Sequence, residues 1–105
     1  MDDKEFNRLA DATLAQIEAA LEASDVDLDF ELQHGGVLEI EFANGSKIIV
    51  NRHGVNKEIW VAAKSGGFHF RWESERWLDT RDNSELFSKL SALATQQAGE
   101  PVSLN

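Results

Sequence analysis

With 105 residues, 42% hydrophobic and 28% charged, the chain has the length and composition of one compact domain, 1–105, and not of a disordered segment. It has no Cys, which excludes disulfides, thiolate metal sites, a thiol nucleophile and self-ligated iron–sulfur clusters. The net charge of −9 is lopsided: residues 1–31 hold ten of the nineteen acids and two of the ten Lys and Arg, a field that repels nucleic acid and anionic lipid and attracts cations or basic protein surfaces.

The opening MDDKEFNRLAD lacks the apolar stretch of a signal peptide, and no apolar run later in the chain is long enough to span a bilayer. A cytoplasmic protein is expected. Residues 3–23 predict an amphipathic helix, with Phe6, Leu9, Ala10, Thr13, Leu14, Ile17, Ala20 and Leu21 on one broad face. On the same wheel Asp11, Glu18, Glu22 and, if the helix continues that far, Asp25 form a narrow band at the shoulder of that face.

The stretch DVDLDFEL (25–32) then alternates with period two, the pattern of a half-buried strand. Val26, Leu28, Phe30 and Leu32 are expected inside; Asp25, Asp27, Asp29 and Glu31 are expected outside. After a turn at His34-Gly35-Gly36, VLEIEF (37–42) is a second strand with Leu38, Ile40 and Phe42 inward. Asn44-Gly45 predicts a type I′ hairpin into a third strand, 46–52. Further strands are expected over 58–64, 68–72 and 76–79. Asp82 with Glu85 reads as a capping box for a second helix over about 84–97, ended by Gly99 and Pro101.

Every strand connection is short enough for a hairpin, so the expected fold is α+β. It is a two-layer αβ sandwich: an antiparallel meander of about six strands, with one face covered by the N- and C-terminal helices and the other open to water.

The sequence gives no direct case for catalysis. It has no Walker-type loop, dinucleotide fingerprint, nucleophile elbow or HExxH, and no Ser, His and Asp arrangement that suggests a triad. The carboxylates are the stronger signal. Outward neighbours on a strand lie roughly 6.5–7 Å apart. Their repulsion is about 0.6 kcal/mol in bulk water and ~2.4 kcal/mol at an effective dielectric of 20, so a row of four carries a cost. Carboxylates suit hard cations such as Ca²⁺, Mg²⁺, Mn²⁺ or iron. One ion spans at most ~5 Å between two ligand oxygens, so strand neighbours chelate poorly, while Glu18 and Glu22 at i, i+4 converge better. The expected sites are weak, hydrated and exposed. The same row also reads as a solvated face that discourages edge-to-edge sheet pairing.

On the other side of the chain, Ile59 and Val61 fit the core phase and point Trp60 outward. It is either an exposed interaction anchor or a ring covered by neighbours such as Arg71. His34, His53 and His69 fall near turns or on the outward strand face and read as solvated.

FNRLAD, the acidic alternating stretch, GGVLEIEFANGSKIIVNR, IWVAAK, SGGFHF and ATQQAGEPVS together resemble the frataxin family in its bacterial form, over nearly the whole chain. The resemblance implies an αβ sandwich and a role in iron–sulfur cluster assembly. It also implies weak, exchangeable binding of Fe²⁺ and Fe³⁺ by an acidic ridge, and docking on a cysteine desulfurase and its scaffold protein. By position the ridge falls on Asp3, Asp11, Glu18, Glu22, Asp25, Asp27, Asp29 and Glu31. The partner-facing positions fall on Asn51, His53, Trp60 and His69. A monomer that forms oligomers with excess iron is implied, without nucleic-acid or membrane partners. Two departures stand out. Ala19, Ala20 and Ala23 thin the helical part of the ridge, and the loop HGVNK lacks a Pro common in the family. The alternative reading is an acidic docking module that acts on the desulfurase without needing iron. Ferrous oxidation, credited to some eukaryotic relatives, finds no dedicated redox site in the sequence.

Overall fold

The computed structural model describes all 105 residues. Helix α1 spans Asp3–Glu22. Its N-cap is Asp2, whose carboxylate accepts the Glu5 amide at 2.8 Å, and Asp3 and Glu5 put negative charge on the first turn, where the helix dipole favours it. The expected apolar face is the buried one: Phe6, Ala10, Thr13, Leu14, Ile17 and Leu21 are all buried.

Six strands follow: β1 (Leu28–Gln33), β2 (Val37–Phe42), β3 (Lys47–His53), β4 (Glu58–Ala63), β5 (Gly66–Glu73) and β6 (Arg76–Asp79). Each pairs antiparallel with the next, in the order β1-β2-β3-β4-β5-β6. The second helix, α2, spans Leu86–Ala98, and the two helices sit together over one sheet face. Leu38, Ile40, Ile48, Val50, Ile59, Val61 and Phe70 point from the sheet into the core beneath them, each at most 2% exposed.

A polar contact joins the two layers inside this apolar core. Trp77 of β6 donates its indole N–H to the Thr13 hydroxyl at 2.8 Å, and that hydroxyl donates back to the Leu9 carbonyl at 2.9 Å. Phe6 meets the Trp77 ring edge-on at 6.0 Å. The buried indole thereby keeps its hydrogen bond, and no buried side-chain polar atom is left without a partner.

Several local expectations need correction. The first strand is shorter than 25–32: Asp25, Val26 and Asp27 lie in the connection from α1, and pairing starts at Leu28. The Asn44-Gly45 turn is not type I′. Gly45 has φ +85° but Asn44 is not left-handed, and the Gly45 amide bonds the Phe42 carbonyl while Phe42 N–H bonds Ser46 O. This is a three-residue loop with glycine in the left-handed position. The two-residue loop with both residues at positive φ joins β5 to β6, at Ser74 (55°) and Glu75 (63°). The N-cap of α2 is Glu85, whose carboxylate accepts the Phe87 and Ser88 amides, and not Asp82, which closes a local turn with Ser84. Beyond Gly99 the chain runs back along α2. Val102 and Leu104 are buried, and Thr95 and Ser91 hydrogen-bond their backbones.

Candidate functional site

The eight candidate carboxylates separate into two electrostatic classes. Asp3 lies 3.0 Å from the ammonium of Lys57, in the β3–β4 loop. Asp11 accepts a hydrogen bond from the Arg52 guanidinium. Arg52 is at the end of β3 on the helix-facing side, and its stem lies against Gly36, where an added Cβ would come within 2.6 Å of Nε. A loop lysine and a strand arginine therefore neutralise these two acids.

Glu18, Glu22, Asp25, Asp27, Asp29 and Glu31 form no ion pair. Glu18 and Glu22 sit one turn apart on the flank of α1 that also carries Asp11. The opposite flank, with Gln16, Ala19 and Ala23, lines a cleft of about 390 Å³ against Phe87 and the C-terminal tail. Asp25 and Asp27 occupy the connection. Asp29 and Glu31 project from β1 onto the open sheet face, opposite in phase to Leu28, Phe30 and Leu32. All but Glu18 are exposed, and Glu18 is partly so. No three His, Asp or Glu side chains converge as a metal cage would require. The donors are hard oxygens, but any ion held here keeps much of its water.

Two more acids join them that sequence reasoning did not single out. In the β1–β2 register Asp29 faces Glu41 and Glu31 faces Glu39, like charges directly across the ladder. Lys47 lies 2.8 Å from Glu39, and Gln33 donates to Glu39 at 3.0 Å and to Glu31 at 3.4 Å. The hydrogen bond and charge of Lys47 hold the Glu39 carboxyl below its ordinary range, and Glu39 in turn raises Lys47. Glu41 has no ion-pair partner. The signal was available: two alternating stretches joined by a short turn must pair antiparallel with their acids in phase.

Near the middle of the open face, Trp60 lies flat between two imidazoles. His53 stacks on one side at 3.7 Å between centroids and His69 on the other at 4.3 Å, each within 9° of parallel. The indole N–H donates to Glu58 at 2.8 Å, and the same carboxylate oxygen is 3.9 Å from His69 Nδ1. Trp60 is thus covered, by histidines from β3 and β5 and not by Arg71, which binds Glu73. Cross-strand register explains this, because Asn51, Trp60 and His69 stand side by side on three adjacent strands. His53 is one outward position further along β3. His34 is exposed in its turn and takes no part.

Residues 1–100 match the family described as the frataxin-like domain. The chain is 70% identical over 104 residues to the iron–sulfur cluster assembly protein CyaY of Dechloromonas aromatica, covering 99% of each chain. It is 55% identical over 108 residues to the protein of the same name from Herminiimonas arsenicoxydans, covering 99% of this chain and 96% of that one. Among solved structures, frataxin from Psychromonas ingrahamii superposes with a TM-score of 0.91 at 35% identity, covering 100% and 99% of the two chains. A ferrous complex of trimeric frataxin from the yeast Saccharomyces cerevisiae superposes with a TM-score of 0.73 at 28% identity, covering 86% and 84%.

Proposed function

The chain belongs to the frataxin-like family, and from that premise we propose that it serves iron–sulfur cluster assembly as an iron-binding, non-enzymatic regulator. Iron is cargo in this reading, bound weakly and exchangeably as Fe²⁺ or Fe³⁺. The ridge that attracts it also docks on a cysteine desulfurase and its scaffold protein in the cytoplasm. The observation that carries the reading is the set of six carboxylates, Glu18, Glu22, Asp25, Asp27, Asp29 and Glu31, left without an ion pair while Asp3 and Asp11 have one. Asn51, His53, Trp60 and His69 supply a second contact surface on the open sheet face. The protein is a monomer that associates under excess iron; the trimeric yeast relative supports only that this fold can associate.

Anaerobic Fe²⁺ titration followed by backbone NMR tests the metal half. The amides near Glu18 and Glu22 should broaden first, those of residues 25–31 next, and residues 3 and 11 last. Uniform or absent broadening at millimolar iron would sink it. A desulfurase assay with and without the protein, at low and high iron, tests the regulatory half.

The lack of three convergent ligands favours a second reading, in which the ridge only meets a basic surface and iron is incidental. In that case Asp27→Lys with Asp29→Lys abolishes desulfurase binding while a chelator leaves affinity unchanged.

A further inference from the structure

Strand β1 is paired on one side only. Its six residues run antiparallel to β2, and no strand lies beside its outer edge. Backbone donors and acceptors along such an edge can take an added strand. The core-side residues there are poorly covered: Leu28 and Phe30 are half-buried and Leu32 is 46% exposed, while their partners Phe42, Ile40 and Leu38 are at most 3% exposed. Leu28 and Phe30 pack at the margin of the core and, with exposed Leu32, form a partly open apolar strip. On the opposite side of the same strand, Asp29 and Glu31 have no cation, because Lys47 is engaged with Glu39.

A second copy of this chain is a poor occupant. Pairing two β1 edges brings Asp29 and Glu31 of one copy beside those of the other, on chains that each carry −9. A segment alternating basic and apolar residues suits both sides of the strand at once. Its outward cations repeat at the same roughly 6.5–7 Å as the acids they face.

We propose that the outer edge of β1 is a strand-addition site for an extended partner segment that alternates Lys or Arg with apolar residues. The segment pairs along Leu28–Gln33, sets its cations beside Asp29 and Glu31, and continues the strip of Leu28, Phe30 and Leu32. This rests on the docking half of the proposed function and states how that partner is held.

The test uses an eight-residue amidated peptide alternating Lys and Val. Two further versions are N-methylated at every second residue, one in each phase. Each is titrated into the ¹⁵N-labelled full chain. The expected result is saturable binding of the parent peptide, with backbone NOEs to residues 28–33. One N-methylated phase should lose about tenfold or more in affinity, since its methyl groups replace the pairing N–H groups, while the other binds nearly as the parent does. Leu32→Lys should also weaken the parent peptide with an unchanged far-ultraviolet spectrum. The proposal is overturned if both methylated phases bind as well as the parent, because charge alone then suffices. It is also overturned if the parent binds elsewhere, fails to bind at millimolar concentration, or acts only by inducing self-association. Desulfurase affinity of the Asp27→Lys, Asp29→Lys variant is read separately, so a failure of ridge docking shows there and not here.

Discussion

Replacing Gly36 with Ala tests whether Arg52 keeps Asp11 out of the proposed iron-binding ridge. Gly36 is buried with φ +78°, and a Cβ there would lie 2.6 Å from Arg52 Nε and 2.8 Å from its Cγ. The left-handed backbone alone costs a non-glycine residue about 1–2 kcal/mol. The Arg52 side chain must also swing aside, which breaks its bond to Asp11, a partly exposed pair contributing up to ~1 kcal/mol. The total is about 1–3 kcal/mol. Gly35→Ala is the matched control, with φ +91° and nothing within 4 Å of the new Cβ. It should lose only the backbone share. The ~1 kcal/mol between the two variants corresponds to about 0.5–1 M in urea midpoint for a slope of 1–2 kcal/mol/M. The same change should free the Asp11 carboxylate, so that its amide broadens with the ridge in an Fe²⁺ titration, as it also should in Arg52→Ala. Equal stability losses in the two glycine variants, together with an Asp11 that still ignores iron, would refute the assignment of Arg52 as its neutralising partner.

Gln97 is buried on α2, where its side chain accepts the Lys64 amide at 3.0 Å and donates to Ser46 Oγ and Lys47 O at 3.1 Å. Gln97→Leu strips all three bonds and strands two backbone groups, and should cost about 2–4 kcal/mol by urea denaturation; a loss under ~1 kcal/mol would mean that other contacts hold these two turns to α2. Asp82 is held down to about 2 by hydrogen bonds from the Ser84 hydroxyl and amide, with burial opposing and Lys89 assisting. Its folded pKa lies below its unfolded one, so its stabilisation is present above the ordinary 3.8 and lost as pH falls through about 2. Asp82→Asn should flatten that part of the acid-unfolding curve, and an unchanged curve would contradict the assignment. Removing both imidazoles, as His53→Ala with His69→Ala, should uncover Trp60 and raise acrylamide quenching of tryptophan fluorescence, while cores containing Trp72 and Trp77 stay folded by circular dichroism; unchanged quenching would mean that the stack does not persist in solution.

Period and spacing carry the fold because each strand and helix here has only one apolar side. Phe6 through Leu21 recur at helical spacing, and Leu38, Ile40 and Phe42 recur at period two, so both predict which side is buried. The same rule overruns where strand pairing stops, because β2 ends at Phe42, opposite Leu28. Val26 continues the alternation of β1 but lies in the connection from α1. Turn chemistry was less legible, since Ser74 and Glu75 adopt positive φ although neither favours it, while Asn44 spends its carboxamide on Ser46 and on the Gln97 carbonyl. His34 and His69 are exposed, as a solvated reading expects, but that reading misses the stacking of His53 and His69 on Trp60. A single-residue reading treats each as a solvated side chain, and only the register of β3, β4 and β5 brings His53 and His69 onto Trp60. Arg52 reaching Asp11, 41 residues away in sequence, is equally invisible to local pattern.

Spacing also decides what the remaining acids hold. Along β1 the carboxylates repeat at roughly 6.5–7 Å, wider than the ~5 Å that one metal ion bridges, but equal to the repeat of cationic side chains on a neighbouring strand. Glu18 and Glu22, one helical turn apart, can bring their oxygens closer together. On the proposed function, iron and a basic segment would therefore favour different parts of one acidic surface, the ion the helix and the segment the edge strand. Glu18→Gln with Glu22→Gln should weaken Fe²⁺ binding and leave the Lys–Val peptide bound as before. Asp29→Asn with Glu31→Gln should release the peptide and weaken Fe²⁺ binding less than the helix pair does. If each pair of substitutions weakens both ligands equally, the acids act as one undivided field, and the separation argued from their spacing is wrong.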